Sequence, residues 1–210
     1  MQDLKLECLL NSARRVLLEL LENDYMKNFV LVGGSALALY LCHRLSEDLD
    51  FFTHHDNNFQ REEIFKIINK FEDKEIVNIS DEQIDVMIEG VKVTFFNAKW
   101  HFLKPEEIKN FNVATLEQIA IMKTNTLFLR AKYRDYYDLY FLVQHLSLRQ
   151  IFELSKDKLN GINLKLFITA LTFIDDIEDE KLDYLKPTKK LSLKEIREFF
   201  EKKIKEEFLE

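Results

Sequence analysis

Apolar and polar positions along the chain follow two different rhythms. Residues 4–22, LKLECLLNSARRVLLELLE, repeat apolar side chains at helical spacing and predict one long amphipathic helix, ended by Asn23-Asp24. FVLVGG then reads as a short apolar strand stopped by glycine, residues 35–43 as a helix, and residues 48–52 as a second strand. Past the polar loop THHDNN, residues 59–71 regain the helical period, and EIVNI, IDVMIEG and VKVTFF alternate apolar with polar residues around a turn at Gly90. That order predicts a small mixed β-sheet with packed helices. From about Pro105 the rhythm becomes helical throughout, in LEQIAIMKTNTLFLRAKYRDYYDLYFLVQHL, LRQIFEL, LKLFITALTFI and LSLKEIREFFEKKIKEEF, and no further strand is expected. The expected fold class is therefore α+β, with an α/β domain over residues 1–104 and a helical domain over residues 105–210 whose last helix is capped by Ser192.

Composition narrows the class. Apolar residues make up 47% of the 210, charged residues 32%, and there are only four glycines and two prolines, as in a well-folded, helix-rich protein. A net charge of -7 argues against sequence-independent coating of nucleic acid, which needs many Lys and Arg against phosphates. The mixed-sign runs KPTKK and EKKIKEE read as solvated helix faces. Cys8 and Cys42 sit in apolar helical patterns without a CxxC, so they are expected as core thiols of a reducing cytoplasm. The N-terminus lacks the basic start and apolar run of a secretory signal, and no stretch approaches 18 apolar residues. A cytoplasmic protein with no membrane partner is expected.

In a chain with so few glycines, the adjacent pair Gly33-Gly34 stands out. A strand running into Gly-Gly-Ser at a helix start suits a phosphate: glycine lets the backbone approach, helix N–H groups point at the anion, and Ser35 adds a hydroxyl. On that feature alone a plain tight turn is the simpler account. Asp48 and Asp50 shift the balance. They alternate with apolar residues, so both project to one side of the strand while Leu49 and Phe51 project to the other. Paired carboxylates repel unless a cation neutralises them, and Mg²⁺ commonly bridges one or two carboxylates to phosphates. The competing account is a pair of exposed acids on a strand edge, balanced by Arg44 or lysines.

The pattern Gly33-Gly34-Ser35, twelve intervening residues, then Asp48-Leu49-Asp50-Phe51-Phe52 resembles the signature of nucleotidyltransferases with the DNA polymerase β-like fold, and VGGSALALYLCHRLSEDLDFF resembles the AbiEii/AbiGii toxin family in particular. Lys123, Arg130 and the run Lys132-Tyr133-Arg134-Asp135-Tyr136-Tyr137-Asp138-Leu139 resemble that family's later motif. The resemblance spans roughly residues 28 to 143. It implies transfer of a nucleoside monophosphate from a nucleoside triphosphate to an acceptor hydroxyl on an RNA such as tRNA, or on a protein, and a neutralising antitoxin partner. Asp48 and Asp50 would hold two Mg²⁺ ions, with Mn²⁺ as a substitute. Gly33, Gly34 and Ser35 would hold phosphates, while Lys123, Arg130 and Arg134 would contact the nucleotide and the helical domain would complete the cleft. Lys123, Arg130, Arg134 and Asp138 are spaced seven, four and four residues apart, so an unbroken helix would put them on one face. As separate features, Arg134 and Asp138 read equally well as a surface ion pair, and Lys132 and Asp135 as solvent cover.

One position departs from the family pattern. The third acid of such sites is expected at Thr94, and a threonine is a weak Mg²⁺ ligand and a poor base. Asp85 and Asp135 are the candidates to replace it. The alternative function is a nucleotide-binding or interaction module of the same fold with lost catalysis. His54 and His55, past the strand, are expected as ordinary surface residues.

Overall fold

The computed structural model describes residues 4–54, 59–108, 111–174, 177–178 and 182–209, and the chain divides into two compact units, Met1–Thr115 and Leu116–Glu210. His55 lies outside the described residues.

The first unit holds helix α1 (Asn11–Leu21), strand β1 (Phe29–Val32), helix α2 (Gly33–Leu41), strand β2 (Leu49–Thr53), helix α3 (Arg61–Ile68) and strands β3 (Lys74–Ile79), β4 (Gln83–Ile88), β5 (Val91–Phe96), β6 (Glu106–Ile108) and β7 (Phe111–Val113). They form one mixed seven-stranded sheet in the order β3-β4-β5-β2-β1-β7-β6. Strand β2 runs antiparallel to β1 and parallel to β5. Alternation separates the faces: Leu49, Phe51, Val93, Phe95, Ile84, Val86 and Ile88 are buried, and Phe51 stacks on Phe95 with ring centroids 5.7 Å apart. The β4–β5 turn has positive φ at Glu89 (49°) and Gly90 (76°), the pair of left-handed residues that a two-residue hairpin of matching twist requires.

Two expectations are corrected here. The N-terminal segment is not one helix: a 3-10 turn at Leu6–Cys8 precedes an extended break before α1, because Leu9 bridges Ser46, the Leu10 N–H donates to the Ser46 carbonyl at 2.9 Å and the Ser46 N–H donates to the Cys8 carbonyl at 3.1 Å. Strands also continue past Pro105, since β7 adds in parallel to β1 and β6 pairs with β7. At three residues each, β6 and β7 are too short to carry a period in sequence. The cysteines are corrected as well: Cys8 and Cys42 form a disulfide, their Cα atoms 5.3 Å apart across 34 residues of sequence. The left-handed turn at Cys42 (φ 50°) that ends α2 brings the second sulfur back to the N-terminal segment.

The second unit is helical: α4 (Leu116–Leu129), α5 (Tyr133–Leu142), α6 (Leu148–Lys156), α7 (Leu164–Thr172) and α8 (Leu193–Ile204). Tyr136, fully buried, places its hydroxyl between the carbonyls of Ala170 (2.7 Å) and Phe173 (2.8 Å), which share its single proton at the end of α7. Helix α8 starts as the sequence predicts, with the Glu195 N–H donating to Ser192 Oγ at 3.3 Å and the Ser192 N–H donating to the Glu195 carboxylate at 2.8 Å. Among the described residues no helix is long and apolar enough to cross a membrane.

Candidate active site

Strand β1 delivers the chain directly into α2, and the junction explains the glycine pair. Gly33 has φ +70°, and a Cβ there would lie 2.7 Å from Asp50 Oδ2; a Cβ on Gly34 would lie 2.6 Å from Arg44 Nη2. Each glycine therefore leaves room for the charged tip of a side chain, a carboxylate at Gly33 and a guanidinium at Gly34, and at Gly33 the left-handed φ favours glycine as well. A turn accounts for the left-handed φ of Gly33, whereas Gly34 has none and instead leaves room for the Arg44 guanidinium. The N-cap of α2 is Val32, whose side chain makes no capping hydrogen bond, and Asp50 Oδ2 lies against Gly33 at that helix start.

Ser35 is buried and ties the loop to the strand start: its hydroxyl meets Ser46 Oγ at 2.9 Å and donates to the Asp48 carbonyl. Asp48 and Asp50 are both half-buried. Strand β2 is an interior strand with Asp50 opposite Val32 of β1 and Thr94 of β5, so Asp50 does not sit on a sheet edge; Asp48 was expected in the same strand but lies one residue ahead of it. Arg44, only 5% exposed, donates to the Leu45 carbonyl at 3.0 Å and lies against Gly34. In sequence Arg44 stands out only as the single Lys or Arg between Gly33 and Phe52, a charge to balance the acids.

Thr94 sits beside Asp50 in register, and Asp85 beside Thr94, so one row on one face of the sheet reads Asp50, Thr94, Asp85 across β2, β5 and β4. The Thr94 hydroxyl donates to Asp85 Oδ1 at 2.8 Å, and Gln83 and Asn78 donate to Oδ2 at 2.8 and 3.3 Å. Burial pushes the Asp85 pKa up, but these hydrogen bonds and the charge of Lys92 outweigh it, and the net shift is below the usual carboxylate value. Asp85 is thus an ionised acid one strand beyond the position where the third acid was sought.

The later motif is built differently from the unbroken helix expected. Ala131 takes φ 38° and Lys132 is extended, so α4 ends and α5 begins between Arg130 and Tyr133. Asp135 fixes that start by accepting from the Lys132 N–H at 3.1 Å. The break folds α5 back on α4: Lys123 Nζ lies 2.6 Å from Asp138 and 3.1 Å from Asp135, with all three side chains buried, and Arg130 approaches Asp135 at 3.6 Å from a mostly exposed position. Asp135 is therefore not solvent cover, and Asp138, paired with Lys123, is not at the surface. Arg134 is half-buried in the first turn of α5. His54 rests its ring nitrogen 3.0 Å from the Lys27 carbonyl.

For a metal, the donor chemistry is a carboxylate pair. Among the described residues no three His, Cys, Asp or Glu side chains converge. Two half-buried carboxylates at i and i+2 beside bare backbone fit Mg²⁺, which binds through one or two carboxylates and completes its shell with phosphates and water.

This architecture, a mixed sheet whose β1–α2 glycine junction meets Asp50 on β2, with Asp48 just ahead of that strand, followed by a helical unit, is that of a nucleotidyltransferase. Solved structures of similar fold include JHP933 from Helicobacter pylori (20% identity, 97% of this chain and 94% of that one, TM-score 0.54) and MenT4, a nucleotidyltransferase toxin from Mycobacterium tuberculosis H37Rv (15%, 91% and 84%, TM-score 0.54). An uncharacterized protein of Aquifex aeolicus (strain VF5) is 29% identical over 184 residues, 85% of this chain and 87% of its own. The family model described as the nucleotidyl transferase AbiEii toxin of type IV toxin–antitoxin systems matches residues 15–103 and 100–208, and the chain belongs to that family.

Proposed function

We propose that this nucleotidyltransferase moves a nucleoside monophosphate from a nucleoside triphosphate to an acceptor hydroxyl, with Mg²⁺ or Mn²⁺ held by Asp48 and Asp50, and that it acts as a cytoplasmic toxin countered by an antitoxin. The observation that carries the reading is the missing Cβ of Gly33, which leaves Asp50 Oδ2 against bare backbone at the start of α2. The Gly34 and Ser35 N–H groups are the proposed phosphate donors, and Arg44 adds positive charge beside them. When bound, Mg²⁺ would supply charge neutralisation at the triphosphate. The acceptor oxygen attacks the α-phosphorus; a new P–O bond forms, the α–β anhydride bond breaks, pyrophosphate leaves, and the hydroxyl proton passes to a site carboxylate.

Asp85 takes the role of the third acid indirectly, holding the Thr94 hydroxyl beside Asp50. In the helical unit, Lys123 is the proposed phosphate contact, oriented by Asp135 and Asp138, with Arg130 and Arg134 as further nucleotide contacts. The cytoplasm is where the triphosphate is found, although disulfides such as Cys8–Cys42 are commoner in oxidising compartments.

Gly33→Ala tests the carrying observation. The substitution costs about 1–2 kcal/mol in left-handed backbone strain, which a protein stable by about 5–15 kcal/mol survives. It also displaces Asp50, so transfer of label from an α-labelled triphosphate should fall about 100-fold, the effect of misplacing a reacting group by about 1 Å. Transfer at the wild-type rate would overturn the assignment, and tight triphosphate binding without transfer in the wild type would favour the binding-module reading.

A further inference from the structure

The sheet face that carries Asp50 continues into a cluster of half-buried aromatic rings. Phe52 lies two residues beyond Asp50 on β2 and on the same face, about 6.6 Å further along the strand. Its register partner on β5 is Phe96, as Thr94 is the partner of Asp50, so the aromatic pair repeats the catalytic pair one pleat on. The Phe52 and Phe96 centroids are 5.0 Å apart; Trp100 meets Phe52 edge-on at 5.6 Å, and Phe102 stacks on Trp100 at 5.2 Å with planes 22° apart. All four rings are half-buried, whereas core residues of the same segment, Ala98 and Leu103, are 6% and 2% exposed. Lys99 and Lys104 are exposed among the rings, and Lys92 is exposed on β5 on the Thr94 side of the sheet. Lys99 pairs with Glu82, both well exposed, and such a surface pair is weak enough to yield to a phosphate.

Aromatic rings interleaved with cations are what single-stranded nucleic acid requires: bases stack on the rings while lysines meet the backbone phosphates. A protein acceptor needs neither, and a paired duplex end cannot offer an unstacked base. We propose that Phe52, Phe96, Trp100 and Phe102 form a stacking platform for a base at the single-stranded end of an acceptor RNA, seating that end one pleat from Asp50. The inference rests on the nucleotidyl-transfer reading above and supplies its acceptor class. The reaction is the same, with a ribose hydroxyl of the stacked end as the attacking oxygen.

Trp100 is the single tryptophan of the chain, so its fluorescence reports on the platform directly. The intact protein is titrated with a single-stranded RNA oligonucleotide, with a blunt duplex of the same length, and with each nucleoside triphosphate plus Mg²⁺. Quenching of Trp100 by the single strand, and not by the duplex or by triphosphate alone, is expected. Trp100→Ala should weaken binding of the labelled single strand, read by anisotropy, about tenfold to a hundredfold, the loss of one stacked base, and Trp100→Phe should restore most of it. Asp50→Asn should keep the quenching and lose label transfer, so a failure of the catalytic reading shows in transfer and a failure of the platform shows in quenching. The proposal is overturned if triphosphate alone quenches Trp100, which would make the platform a seat for the incoming base. It is equally overturned if no RNA quenches it, if duplex and single strand quench alike, or if label enters protein alone.

Discussion

At the residue scale, small absences and short hydrogen bonds decide the site. Gly33 and Gly34 look alike in sequence but clear space for opposite charges, Asp50 and Arg44. Asp85 accepts three side-chain hydrogen bonds, from Thr94, Gln83 and Asn78. Because its pKa is lower folded than unfolded, its contribution to stability is complete above its ordinary value of 3.8 and is lost as pH falls through the folded value. Acid unfolding followed by circular dichroism should therefore show a shallower pH dependence for Asp85→Asn below about pH 4. An unchanged acid limb would mean that the three hydrogen bonds do not favour the ionised form. The glycine pair stands out in sequence because glycine is scarce, a local signal, while strand alternation places Asp50 on β2 but extends that strand one residue too far, to Asp48. The Asp50–Thr94–Asp85 row was legible only as a choice between Asp85 and Asp135, since register between strands is not written in either strand alone.

At the element scale, the break between α4 and α5 matters most. Arg130, Ala131 and Lys132 are all acceptable inside a helix, so periodicity alone carries the helix through them. The chain turns there because Ala131 takes a left-handed φ and Asp135 caps the new helix through the Lys132 N–H, a cap without the usual Ser, Thr, Asp or Asn. The consequence is the buried Lys123–Asp135–Asp138 cluster, which a single straight helix would not make from residues 12 and 15 positions apart. Lys123→Ala leaves two buried carboxylates without their ammonium and should destabilise the helical unit by about 3–5 kcal/mol. Urea unfolding monitored by far-UV circular dichroism measures this as a lower midpoint; a loss under about 1 kcal/mol would contradict the buried pairing. Short strands β6 and β7 and the broken N-terminal helix escaped the sequence for the same reason: each is defined by a partner strand or by Ser46, not by its own pattern.

At the scale of the whole molecule, two units carry the two halves of the family signature. The first unit holds the glycine junction and the acids on a seven-stranded sheet; the second holds a buried lysine between two aspartates. The rhythm changes at about Pro105, whereas the two compact units divide after Thr115, once β6 and β7 have joined the sheet. The Cys8–Cys42 link was not legible in sequence, since 34 residues separate sulfurs that meet only after α2 has formed and turned back. Across this molecule the central claim is that Asp50, held against bare backbone, drives nucleotidyl transfer. Incubation of the wild type and Asp50→Ala with α-labelled triphosphates, Mg²⁺ and total RNA or protein, with both proteins checked for the same melting temperature, tests it most directly. Label transferred by the wild type and absent with Asp50→Ala is the predicted result; equal transfer by both would contradict the account.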